Sequence, residues 1–386
     1  MPGSIPNQWR LFVEKAVSLG FVRTENFLNR EQINEEIRIS MIYRYNRILT
    51  LLLCGLFGIS VQAGDGVFSF LELPMSSRLA ALGTKNVSHP DGDLNFAMMN
   101  PALLQSSSAS MVSLNMSNYL ADIQFGSAVY GFGKGRHHFA VGVQFMDYGT
   151  FKEATESNSI IGEFTAKDIA LNLLYSQDLS EHLRVGLTLK PIFSAYERYT
   201  SMGAAFDVGV HYTSASSLFT AGLALRNLGF QVKGYTLGAD GQNRESIQPD
   251  LLLGMTQKLA HAPFRISVTL HQLNTWNLYY TDNNSSETDY DFTEQAGVIG
   301  AVDMAFRHAI FGVEFLPGKN FYLAAAYNHR RHQEMAMDGF RSMAGFSFGG
   351  GIKISKFQVG FGVSPFQVGT SAYLFSVSTS LNEFKL

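Results

Sequence analysis

From Met111 towards the C-terminus, large apolar side chains recur at every second position. Val112, Leu114 and Met116 alternate with Ser113, Asn115 and Ser117. Phe139, Val141, Val143 and Phe145 alternate with His138, Ala140, Gly142 and Gln144. Ile169, Leu171, Leu173 and Tyr175 alternate with Asp168, Ala170, Asn172 and Ser176 on the other parity. The same rhythm runs through Met202 to Tyr212, Phe219 to Leu225, Phe264 to Leu270, Phe321 to Tyr327 and Tyr373 to Val377, with Gly, Ala, Ser or polar residues interleaved. A period of two places the apolar set on one face of a β-strand and the small or polar set on the other.

The pattern predicts about 14 strands, as in an antiparallel transmembrane β-barrel. They lie near 109–118, 123–133, 137–147, 164–178, 182–196, 201–213, 217–229, 249–260, 263–274, 304–316, 320–331, 341–354, 356–366 and 369–381. The even-numbered gaps are short, whereas the odd-numbered gaps at 148–163, 230–248 and 275–303 are long. Outer-membrane barrels sort their connections in this way, with short periplasmic turns on one rim and longer extracellular loops on the other. A soluble β-sandwich explains any single strand but has no reason to sort its loops.

Ahead of the barrel stands an export signal. Arg44 and Arg47 precede the apolar run Ile48–Ile59, and Val61 and Ala63 occupy the −3 and −1 positions. That is a secretory signal peptide over 41–63 with cleavage after Ala63, and the run is short for a retained membrane anchor. The signal is internal, which Met41 explains: translation starting there makes 1–40 a mis-called upstream extension. A genuine cytoplasmic extension is the competing account. Cys54, the only cysteine, lies inside the apolar run behind Leu53, which is not the small residue a lipidation site requires. The mature chain would then hold no cysteine and could be neither a disulfide scaffold nor a cysteine-ligated metal protein.

Composition narrows the class further. Charged residues are 16% of the chain, against about 25% in soluble proteins. With 36 Gly, 31 Phe and 16 Tyr, a net charge of −3 and no basic excess, nothing suggests nucleic acid. A mean hydropathy of +0.03 is too low for a bundle of membrane helices.

Residues 64–108 do not alternate. Ser76 or Ser77 can cap a short helix ending at Gly83, and Pro101 can open another helical turn. Their apolar content, in FSFLELP and LNFAMMNPALL, points to a plug inside a barrel formed by 109–386 rather than a solvated tail. Asn100, Pro101 and Ala102 form the candidate plug motif, with Pro101 fixing the backbone beneath the lumen.

No constellation argues for catalysis, a cofactor or a metal. No serine has lysine three residues on, and GFGKGR and SFGGGIK lack a full phosphate-loop spacing and a following helix. Ser–His pairs at a barrel rim require spatial pairing that sequence does not reveal. On a strand, His329 and His332 would point opposite ways. Asp168, Asn172, Asp207, Arg226, Glu314, Asn328 and Arg330 fall on lumen-facing parity, either as a polar network between wall and plug or as a ligand path. The long loop 275–303 carries Trp276, Tyr279, Tyr280, Tyr290 and Phe292 among acidic residues, which makes it a candidate partner loop. Packing of these aromatics on the barrel or in a membrane girdle is the alternative.

LELPMSSRLAALG, NPALL and AGLALRNLG resemble the fatty-acid-transporter-like outer-membrane barrels of Bacteroidota, including the PorV and PorQ proteins of the type IX secretion system. Phe306–Arg331 and Gly345–Phe357 resemble the PorQ group in particular, and the likeness spans 67–384. It implies a non-enzymatic outer-membrane component of the attachment complex, without cofactor, that anchors a PorZ-like surface partner. PorV- and PorU-like proteins would be its companions, and cargo would be joined to lipopolysaccharide. A channel for hydrophobic small molecules is the alternative function.

Overall fold

The structure, a computed structural model, describes residues 66–118, 123–157, 159–236, 244–278, 298–335, 343–367 and 370–384. The expected extension 1–40 and signal peptide 41–63 lie outside the described residues.

Fourteen antiparallel strands close into one barrel, in which each strand pairs with its sequence neighbours and β1 (Met111–Asn118) pairs with β14 (Thr370–Ser380). Between them run β2 (Gln124–Lys134), β3 (His137–Ala154), β4 (Ile160–Asp178), β5 (Leu183–Tyr196), β6 (Tyr199–Thr213) and β7 (Phe219–Lys233). The circuit continues with β8 (Asp250–Lys258), β9 (Phe264–Leu270), β10 (Ala309–Phe315), β11 (Phe321–Asn328), β12 (Phe346–Ile354) and β13 (Phe357–Gln367).

Burial along the strands is inverted relative to a soluble protein. In β3, Phe139, Val141, Val143 and Phe145 are exposed, while His138, Ala140, Gln144 and Met146 are buried. Leu187 and Leu189 of β5 point out, and Thr188 and Lys190 point in at 1% and 0% exposure. An outer belt of Phe, Leu, Val and Ile around polar walls is stable only where the surrounding solvent is lipid. Closure leaves no open strand edge in that belt among the described residues, so the wall strands pair on both sides.

The even-numbered turns are tight. β2 and β3 join through Gly135–Arg136, with Gly135 at φ +63°, a left-handed conformation that glycine adopts without steric cost. Met111 faces Ser380, so both ends of the barrel sequence lie on this short-turn rim.

The other rim departs from the pattern in several places. The gap 148–163 is not a loop: β3 and β4 continue as a paired ribbon from Thr150↔Thr165 to Ala154↔Ile160. Here both faces meet water, so apolar and charged residues mix and the period of two is lost. The expected strand 304–316 begins only at Ala309, because Val298–Arg307 forms a helix. The expected strand 320–331 ends at Asn328, whose Oδ1 accepts the Arg331 amide at 3.1 Å and caps the helix His329–Glu334. His329 and His332 therefore lie on a helix rather than on opposite faces of a strand. They are engaged separately, with Asp303 at 2.9 Å and with the Ala344 carbonyl at 2.8 Å.

Residues 66–108 run inside the wall. A helical turn at Ser69–Glu72 is followed by the helices Ser77–Ala81 and Leu94–Ala97 and by turns at Pro101–Leu103 and Ser106–Ser108. Ser76 Oγ accepts the Leu79 amide at 3.3 Å, and Gly83 ends that helix at φ +84°. The first helix packs on β12, β13 and β14, and the second on β1 and β2. The 101–103 turn packs on β4, β5 and β6. Leu79, Leu94, Phe96, Met98, Met99 and Leu103 are at most 2% exposed and form the apolar core of the plug.

Candidate functional site

The plug meets the wall through shape first. Asn100 is fully buried; its Nδ2 donates to the Val87 and Val210 carbonyls at 2.8 and 3.2 Å. Its Oδ1 accepts the Ala102 amide at 3.0 Å and so caps the turn that Pro101 opens. Glycines on the facing wall admit this close approach. A Cβ on Gly209 would strike Asn100 Oδ1, one on Gly222 would strike the Val87 carbonyl, and one on Gly186 would strike Pro101. Gly222→Val is therefore expected to destabilise the barrel by about 1–3 kcal/mol through overpacking. The loss would be read as a lower urea midpoint of heat-modifiable gel mobility, with Gly318→Val, a site with open space, as the silent control.

Two buried ion clusters then tie plug to wall. In the first, Arg78 donates to Glu314 at 2.8 Å and to Asp91 at 3.0 Å. Arg265 of β9 donates to Asp91 at 2.7 and 2.9 Å, to Glu314 at 3.0 Å and to His89 Nε2 at 2.9 Å. An imidazole that accepts from a guanidinium is neutral, and burial together with Arg78 holds His89 below its usual range. Burial alone would raise Asp91, but the cations around it, Arg78 and Arg265 among them, hold it well below the carboxylate range.

In the second cluster, Lys85 donates to Glu72 at 2.6 Å and to Asp250 at 2.5 Å. Asn227 donates to Glu72 at 2.6 Å and accepts from Lys190 at 2.9 Å, and Lys190 lies 2.6 Å from Asp207. Arg226 donates to the Leu71 carbonyl at 3.1 Å. Burial opposes the charge on Lys85, yet the carboxylates of Asp250 and Glu72 raise it above its ordinary value.

The lumen-facing candidates thus separate. Asp207, Arg226 and Glu314 belong to these ties. Asn172 is 1% exposed and donates to Gln144 at 2.9 Å. Asp168 stands apart near the long-loop rim, accepting from Tyr148 at 2.7 Å, from Tyr196 at 2.9 Å and from Ser194. Asn328 is a helix cap. Arg330 is not on a wall strand: it lies on the helix after β11 and donates to Glu334 at 2.6 Å and to Gln272. Trp276 is exposed and stacks on His308 at 5.4 Å; Tyr279, Tyr280, Tyr290 and Phe292 lie outside the described residues. The pattern reading passed over Lys190 and Arg265, although both sit on inward parity between apolar neighbours. Glu72, Arg78, Lys85, His89 and Asp91 lie in the plug, where no periodicity marks them. A cavity of 540 Å³ at the short-turn rim is lined by Arg78, Asp91, Lys258, Arg265 and Lys319 among others.

Among solved structures, the chain is similar to a mutant of the monoaromatic hydrocarbon channel TodX. The TM-score is 0.51 with 11% identity, over 80% of this chain and 99% of that one. The chain shares the barrel fold of that channel. Also similar are the monoaromatic hydrocarbon channel CymD, at TM-score 0.48 and 12% identity over 80% and 96% of the two chains, and a Pseudomonas aeruginosa FadL homologue. For the latter the TM-score is 0.44 and the identity 9%, over 79% of this chain and 97% of that one. No protein-family model and no curated protein matches the sequence. In this barrel the described lumen is occupied by plug residues whose charges are matched by those of the wall.

Proposed function

We propose that this FadL-like barrel is a non-enzymatic scaffold of the outer membrane. In this reading it belongs to a type IX secretion attachment complex, beside PorV- and PorU-like members. It holds a PorZ-like surface protein in place for the attachment of cargo to lipopolysaccharide. The observation that carries the reading is the double ionic tie of plug to wall, Arg78–Glu314–Arg265 at β9 and β10 and Glu72–Lys85–Asp250 at the neighbouring β8. A wall braced this way is a rigid support for its outer rim. The cavity at the short-turn rim mixes charged side chains such as Arg78, Asp91 and Arg265 with Met111, Leu316, Phe321 and Tyr322, whereas a hydrocarbon path requires predominantly apolar walls.

Replacing residues 279–292 with a Gly-Ser linker is expected to leave heat-modifiable mobility unchanged while the surface partner is lost from cells and cargo attachment falls. Full partner retention by the folded variant would move the interface elsewhere. The second reading, a channel for hydrophobic small molecules, draws on the fold shared with TodX. Uptake of a labelled monoaromatic or fatty acid that falls in a null strain, with cargo attachment intact, would select it.

A further inference from the structure

Beyond Asp147 on β3 and Ala166 on β4, the barrel wall stops and two strands go on alone. The last β3 residue paired with β2 is Asp147, opposite Gln124, and the outermost β4 residue paired with β5 is Ala166, opposite Tyr196. One further amide, from Glu197, reaches the Thr165 carbonyl at 3.0 Å. From there outwards Thr150–Ala154 and Ile160–Phe164 pair only with each other among the described residues. Each strand of such a ribbon turns alternate N–H and C=O groups away from its mate. Among the described residues, the ribbon thus presents two unpaired backbone edges on the long-loop rim.

Free edges are templates for another strand, and proteins normally blunt them with lysine, proline or a cover. This ribbon carries no proline and one lysine, Lys152, which faces Glu163 across the pair. Instead it displays Ile160 and Ile161 at 61% and 62% exposure, and Phe151 at 42%, stacked on Phe164 at 5.2 Å. Two strands in water are marginally stable by themselves, and a third strand is the structural remedy. Glu153, Glu156 and Glu163 against Lys152 leave the ribbon acidic.

We propose that the β3–β4 ribbon is a second docking element for the surface partner, beside the 275–303 loop, and that the partner adds an extended segment to one of its edges. The segment pairs main chain to main chain, sets aliphatic side chains against Ile160, Ile161 and Phe151, and carries lysine or arginine opposite the glutamates. This rests on the scaffold reading above, to which it adds one element and one binding mode.

The test uses the full-length barrel in detergent and the purified surface partner. Hydrogen exchange is followed with and without partner, and affinity is measured for Ile160→Lys/Ile161→Lys and for Glu153→Lys/Glu156→Lys. Protection of amides within 150–154 or 160–164, at least tenfold weaker binding by the first variant, and a weaker, less salt-sensitive association by the second are expected. Both variants should retain the heat-modifiable mobility of the wild type, since the ribbon lies beyond the barrel wall. Binding without protection of these amides overturns the ribbon proposal and leaves the scaffold reading standing. Failure of the wild-type barrel to bind the partner overturns both. Concentration-dependent protection in the barrel alone makes a second copy of this chain the occupant and overturns the partner assignment.

Discussion

Deletion of β14, Thr370–Ser380, is expected to abolish membrane insertion, leaving the chain degraded or aggregated in the periplasm. This strand pairs with β1 along Met111–Asn118 and with β13 on its other side. Without it, β1 and β13 each present a row of unpaired amides and carbonyls to lipid, at a cost of several kcal/mol per group. The remaining strands cannot close the gap, because the plug fixes the circumference and Ser77 donates its amide to Ser376 of the missing strand at 2.8 Å. Membrane fractionation and heat-modifiable mobility give the readout. A truncated chain inserted at wild-type yield would refute the closed barrel.

Lys85→Met is expected to release the plug from the β7–β8 side of the wall. Glu72 and Asp250 would lose their shared cation, and an uncompensated buried charge of this kind costs about 3–5 kcal/mol. The triple variant Lys85→Met/Glu72→Gln/Asp250→Asn removes the whole charge set and should recover much of the loss. The plug ties should also weaken in acid. Burial would raise Asp91 and Glu72, but neighbouring cations hold both below their ordinary values. A depressed carboxylate contributes stability above its unfolded value, and that contribution is lost as pH falls. His89 is held neutral, so the unfolded chain takes up a proton first as pH falls through 6.5. Loosening should therefore begin below about pH 6.5, through the histidine, and deepen below about pH 4, through the carboxylates. Limited proteolysis of residues 66–108 across this range gives the readout, and cleavage that does not rise as pH falls below 6.5 would contradict the assignment.

The barrel was legible because lipid outside and polar groups inside impose a period of two on nearly every strand. Legibility ended where that contrast ends. The β3–β4 ribbon beyond Asp147 has water on both faces, and Val298–Arg307 forms a helix where the pattern was read onward into a strand. Arg330 was placed in the lumen by extending β11 past Asn328, whose side chain in fact ends the strand by capping a helix. Lys190 and Arg265 were readable by parity, as were their partners Asp207 and Glu314, but the pairing of Arg265 with Asp91 of the plug, 174 residues away, and of Lys190 with Asn227, 37 residues away, was not. Such pairings follow from closure and plug placement, and local pattern carries no trace of either.

The bond from Ser77 to Ser376 joins residues 299 apart, and it has a consequence for the order of assembly. The plug leaves the export machinery early and β14 last, but the two touch in the finished protein. A plug arriving after closure would have to enter through the short-turn rim and slide Arg78, Lys85 and its apolar side chains into register against a wall already fixed. A barrel closing over a misplaced plug would bury Arg78 and Lys85 without their partners. The N-terminal segment therefore acts as a mandrel around which the sheet curls, with the final strand as its clasp. Folding governed by contacts this distant is intrinsically slow, which makes the periplasmic interval before closure the most vulnerable moment in the life of this chain.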